Sequence, residues 1–174
     1  MAAIKLNPLA NSAFPRMRAC WPYRASPILK SWEICDAIKT KPLFRLELDL
    51  DVLELKGTPF GTRRIAEIRG GTFAGERLNG KVTTRGGGWM LVRQDKMVDI
   101  EMRITLKTHD NCHIYMHWKG MRPAPGEEPE NYYFRATPYF ETNSAKYDWL
   151  NRVCSIATGS VSDDKRFLEV FEVL

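Results

Sequence analysis

Residues 98 to 105 read Val98, Asp99, Ile100, Glu101, Met102, Arg103, Ile104, Thr105. Apolar and polar side chains alternate without a break. That is the two-residue period of a β-strand with one face on a core, not the 3.6-residue period of a helix. Asp99, Glu101, Arg103 and Thr105 therefore share a face, with Glu101 and Arg103 about 6 to 7 Å apart along the strand.

The same texture runs through the chain from Pro42. Phe44, Leu46, Leu48, Leu50 and Val52 alternate with Arg45, Glu47, Asp49 and Asp51, and Gly57, Pro59 and Gly61 end that strand. A second strand spans 63–69 and Gly70, Gly71 and Gly75 follow it. A third covers 78–84, and Gly86, Gly87 and Gly88 permit a bulge or sharp bend before a fourth at 89–93. Beyond the polar turn at His109, Asp110 and Asn111, strands are expected at 112–119, 132–137, 153–158 and 167–173, with a surface loop at 122–130 and one helical turn at 145–151. About nine or ten short strands with one short helix predict an all-β fold. An antiparallel β-barrel is favoured because closure removes exposed strand edges, and a barrel of this size has room for one small ligand.

A chain of 174 residues suits one barrel domain, 41–174, preceded by a basic extension, 1–40. That extension holds six basic and two acidic residues with Pro8, Pro15, Pro22 and Pro27, which rule out a long helix. It reads as a poorly ordered extension, a transit-type segment, or an arm anchored by Trp21, Tyr23, Trp32 and Ile34. Residues 41–174 carry 20 basic and 19 acidic side chains, so the body lacks the electrostatic footprint of nucleic-acid binding. No run reaches the roughly 18 apolar residues of a membrane span. Cys20, Cys35, Cys112 and Cys154 are isolated, which fits reduced thiols and a cytoplasmic protein.

No phosphate loop, nucleophile elbow or zinc motif is present, so no cofactor is expected. A metal site at His109, Cys112, His113 and His117 is rejected, since His113 and His117 on one strand lie about 13 Å apart, too far to share an ion.

Several stretches carry a resemblance: Gly70 to Gly75; Gly86, Gly87, Gly88 and Trp89 with Arg93 and Asp95; Tyr132, Tyr133, Phe134 and Arg135 with Pro138, Phe140, Glu141 and Thr142; and Tyr147 to Asn151. In combination they resemble the domain-of-unknown-function family number three-two-three-seven over about residues 42 to 174. The resemblance implies a lipocalin-like barrel, often self-associating, with no common reaction. Some relatives are regarded as cyclases, hydrolases or pericyclic catalysts on polyketide-like or terpenoid intermediates. Two positions depart from the family pattern: Gly88 stands where an acid often precedes the tryptophan, and Glu101 stands where aspartate is typical.

The candidate catalytic set is Glu101, Arg103, Tyr133 and Arg135: Glu101 as general base, the arginines as holders of an oxyanion or carbonyl, and Tyr133 as proton donor. Against this stands a solvated outer face with a weak ion pair. Trp89, expected to be buried, would wall an apolar pocket. Trp89, Arg93, Tyr115 and His117 form the candidate ligand-binding set, and His117 could act as an acid or base near neutral pH. The function expected is an isomerase-, lyase- or hydrolase-like enzyme whose acid/base groups act non-covalently on a small, mostly apolar molecule held inside the barrel. A non-catalytic binding or carrier barrel is the alternative, and a homodimer is expected.

Overall fold

The computed structural model describes residues 37–126, 132–162 and 165–174. Eight strands follow one another as β1 Thr40–Thr58, β2 Gly61–Ala74, β3 Asn79–Val92, β4 Met97–Thr108, β5 His113–Pro123, β6 Arg135–Glu141, β7 Ser155–Ser162 and β8 Lys165–Val173. Each pairs antiparallel with the next, and β8 returns to β1, so the sheet closes into a barrel. The all-β barrel reading holds, with eight strands in place of nine or ten. The sequence segments 78–84 and 89–93 are one strand, β3. The glycines between them shift its register against β4 at Val82/Gly86 and do not end it. The expected helical turn is a 3-10 helix, Asp148–Arg152. The basic segment lies outside the described residues up to residue 36. Among the described residues, no helix is long and apolar enough to cross a membrane.

Alternation decides what fills the ring. In β4, Val98, Ile100, Met102, Ile104 and Leu106 are buried, while Asp99, Glu101 and Arg103 lie on the outer wall. An eight-stranded barrel has an interior that side chains can fill, and an unpaired charge there would be costly, so the apolar parity turns inward, as on β4 and β6.

One end of the barrel is plugged with aromatics. Phe44 packs edge-on against Phe73 at 5.7 Å and against Phe140 at 5.9 Å between ring centroids. Tyr147 and Leu150, from the connection holding the 3-10 helix, are buried with them. Asp110 in the β4–β5 turn ties that connection down: it accepts hydrogen bonds from Thr108 Oγ1, from Lys146 Nζ at 2.6 Å and from Tyr147 Oη at 3.1 Å. The Lys146 ammonium, then the Thr108 hydroxyl, hold the Asp110 carboxyl far below the usual carboxylate range. A depressed carboxylate adds stability above its unfolded pKa of about 4 and loses it as pH falls through the folded value. Asp110→Asn is therefore expected to lower Tm at neutral pH, and its deficit against the wild type should shrink steadily below about pH 4. A deficit independent of pH would remove the carboxylate from this role.

The ring has one loose seam. β6 and β7 exchange only the pairs Arg135↔Thr158 and Ala136↔Ala157, whereas β4 and β5 pair over eleven positions. Pro138 has no N–H to offer, and the Ser155 hydroxyl donates instead to the Pro138 carbonyl at 2.7 Å. Beyond that point the two strands part around the helical connection.

Candidate functional site

The outer wall next to that seam forms a groove of about 750 Å³, within the usual size of ligand pockets. Register explains its lining. One cross-strand row runs Ile65, Trp89, Glu101, Lys119, Thr137; the next runs Arg63, Leu91, Asp99, Met121, Arg135, Thr158. Most of both rows line the groove, with Tyr133 and Ile156 at the seam. The floor is apolar, and charges of both signs stand around it.

Of the two carboxylates that line the groove, Asp99 and Glu101, Glu101 has two basic neighbours. Its Oε1 accepts from Arg103 Nη2 at 2.6 Å and lies 3.5 Å from His117 Nε2, which is buried without a hydrogen bond. Arg103 and His117 belong to the neighbouring row, opposite each other across β4 and β5, and approach Glu101 from outside the groove. Arg103 also lies 5.9 Å from the Trp89 ring centroid. Arg135 stacks on Tyr133 at 4.8 Å and donates through Nη1 to the Phe134 carbonyl at 2.9 Å. The rotamers of Glu101 and Arg135 are thus held by neighbours, while a third of the Glu101 side chain stays open to a ligand.

Four of the eight residues singled out from the sequence meet in this groove: Trp89, Glu101, Tyr133 and Arg135. Arg103 and His117 back Glu101. Arg93 is engaged elsewhere, in the β3–β4 turn, bridging Asp95 at 2.6 Å and Asp99 at 2.9 Å. Tyr115 lines a separate outer depression with Tyr139 and Glu141.

Two expectations need correction. Trp89 is 46% exposed and not buried, because Gly88 and Met90 take the inward positions on either side of it. The charged set lies on the outer wall and not inside the barrel, because the opposite parity fills the interior. Sequence reasoning missed Arg63, Lys119, Met121 and Ile156. Parity on β5 could have found Lys119 and Met121, but no local signal brings Ile156 to a groove made by the seam.

Gly88 itself faces the interior. A Cβ there would sit 1.9 Å from Met102 Sδ and 3.3 Å from Ala66 Cβ. The Met102 thioether fills the space beside Gly88.

The family model described as "Protein of unknown function (DUF3237)" matches residues 38–173. The chain belongs to this family. The DUF3237 barrel is 30% identical over 149 residues to a UPF0311 protein of Bradyrhizobium diazoefficiens, covering 79% of this chain and 97% of that protein. Among solved structures it is similar to a conserved protein of unknown function from Rhodopseudomonas palustris, with TM-score 0.73 and 28% identity over 80% of this chain and 99% of the other. A β-barrel-like protein from Acinetobacter baumannii matches with TM-score 0.71 and 29% identity, covering 80% and 98%. A structure described as an enzyme from Penicillium herquei shares the fold with TM-score 0.64 at 20% identity, covering 80% and 96%.

Proposed function

We propose that this DUF3237 barrel processes a small organic molecule by non-covalent acid/base chemistry in the outer groove. The reaction is a cyclisation, isomerisation or hydrolysis of a polyketide-like or terpenoid intermediate. The observation that carries this reading is the convergence of Trp89, Glu101, Tyr133 and Arg135 on one apolar-floored concavity. Glu101 accepts a proton from carbon next to a carbonyl, or from water. Arg135 holds the oxyanion that results, and Tyr133 returns a proton to the product. The apolar floor orients a flexible substrate, which can supply much of the rate. Arg103 and His117 act as positioning residues through Glu101. The Penicillium herquei structure, described as an enzyme, supports catalysis on this fold only by analogy.

The test is turnover of a panel of aromatic lactones, enol esters and β-polyketones by the full chain, followed by mass spectrometry. Glu101→Gln is expected to cut turnover of any substrate found by about 10²- to 10⁴-fold while leaving binding intact. Unchanged turnover in this variant would sink the assignment, and tight binding without turnover in both proteins would favour a carrier.

A second reading rests on a different observation. Trp89, Met121, Tyr133 and Ile156 stand 39–46% exposed on one wall, and clustered apolar exposure of this kind marks association surfaces. We propose that two chains pair over this wall and close the groove from water. The wall carries both signs of charge, Arg63, Lys119 and Arg135 against Asp99 and Glu101, which suits a two-fold interface in which a patch meets itself. Sedimentation velocity should report a dimer that Ile156→Glu converts to monomer; a monomeric wild-type protein at all concentrations would overturn the pairing.

A further inference from the structure

The outer groove holds positive charge that its own carboxylates do not answer. Arg63, Lys119 and Arg135 line it against Asp99 and Glu101. By number the two signs nearly balance, but by pairing they do not. Asp99 is bridged by Arg93 at 2.9 Å and Glu101 by Arg103 at 2.6 Å, and neither of these two arginines lines the groove. Both carboxylates are thus matched from outside. The charge left facing the concavity is that of Arg63, Lys119 and Arg135.

None of the three has an acidic partner among the described residues. The side chains of Arg63 and Lys119 make no hydrogen bond or ion pair there, and Arg135 meets only the Phe134 carbonyl and the Tyr133 ring. Lys119 is the telling case. It stands directly opposite Glu101 in the β4–β5 register, yet Glu101 turns to Arg103 instead. An ammonium left open above apolar walls acts strongly on an entering anion, because low-dielectric walls focus the field of one sign of charge.

Register brings two of these cations to one place. Lys119 pairs with Thr137 and Met121 pairs with Arg135. Lys119 and Arg135 are therefore diagonal neighbours on one face of β5 and β6, about 7 to 8 Å apart at their bases, which long side chains can span. Arg63 lies in the row of Arg135 but four strands away, roughly 19 Å along the sheet. It stands on the opposite rim and cannot share the same head group.

We propose that the groove takes an apolar organic acid, and that Lys119 is the residue that selects it. The inference rests on the groove being the reaction site and adds the charge of what enters it. The ligand carboxylate sits between Lys119 and Arg135, and the apolar body covers Trp89 and Met121. The Phe134 carbonyl takes one N–H of Arg135, and a guanidinium has five, so the others serve the acid group and the oxyanion formed beside it. A neutral molecule of the same shape fills the floor but leaves Lys119 unanswered.

The experiment is a titration of the full chain at pH 7 with 2-naphthoate and with its neutral analogue 2-naphthamide, followed by the tryptophan indole N–H signals in ¹⁵N-labelled protein. Trp89→Phe identifies the Trp89 signal. That signal is expected to move saturably with both ligands, and 2-naphthoate should bind at least about tenfold more tightly. Lys119→Met should remove most of this preference; Lys119 is exposed, so the variant is expected to fold. Lys107→Met loses the same charge from an exposed position on β4 outside the groove, and should leave the preference unchanged. Equal affinity for acid and amide would overturn the proposal while leaving the acid/base reading, which Glu101→Gln tests through turnover, in place. Equal effects of the two lysine variants would overturn it too, since only net charge would then be at work. No response of Trp89 to either ligand at millimolar concentration would overturn both this proposal and the groove as a ligand site.

Discussion

Replacing Gly86 with alanine is expected to destabilise the barrel by about 3 to 5 kcal/mol, the sum of backbone strain and overpacking. Gly86 has φ +147, a conformation that L side chains rarely adopt. A Cβ at this position would sit 2.3 Å from the Arg103 carbonyl oxygen and 2.9 Å from Ile104 Cα, both backbone atoms of the neighbouring strand. Neither can yield without opening β3 from β4. A domain with about 5 to 15 kcal/mol of stability would lose much of it. Urea denaturation should show the midpoint falling steeply. Gly57→Ala is the control: it has φ +73 but nothing within 4 Å, so it should cost only about 1 to 2 kcal/mol. Equal losses at the two glycines would show that inter-strand contact is not what requires glycine at 86.

Phe44→Ala is expected to cost about 4 kcal/mol, in the range of buried phenylalanine truncations. Phe44 is 3% exposed and touches rings from β2 and β6, so it joins strands that are not neighbours in the ring. Removing it leaves a cavity between Phe73 and Phe140 that rigid rings fill poorly. Denaturation with an unchanged urea m-value and a lowered midpoint would agree with this. A loss below about 1 kcal/mol would mean that the plug collapses around the gap, as a well-relaxing site does.

Much of the barrel can be read from local pattern. The alternation at 98–105 gives β4, and with it the shared face of Glu101 and Arg103. Tyr133 and Arg135 separate from Phe134 by the same parity, and Phe134 is the buried one. The glycine run before Trp89 was legible as an irregularity, but its purpose was not. It suggests a backbone bent toward a ligand, whereas Gly86 serves close approach to β4 and Gly88 makes room for Met102. Trp89 misleads for a related reason. Its type favours burial, yet it shares a parity with Arg93, and a charged partner on the same face was the better guide to its exposure.

The sequence by itself determined that the chain makes short antiparallel strands with glycine-rich turns, which residues share each strand face, and that no helix or repeat organises the body. All of these follow from a two-residue period and from the conformational range of single residues. Only the tertiary structure decided which face is the inside and where Glu101, Tyr133, Arg135 and Trp89 meet. Facing is settled by the burial of both parities over eight strands at once, since a closed ring has space for only one of them. The groove depends on which strands pair closely and which, like β6 and β7, part after two residues, and such long-range pairings leave no trace in the local alternation of either strand.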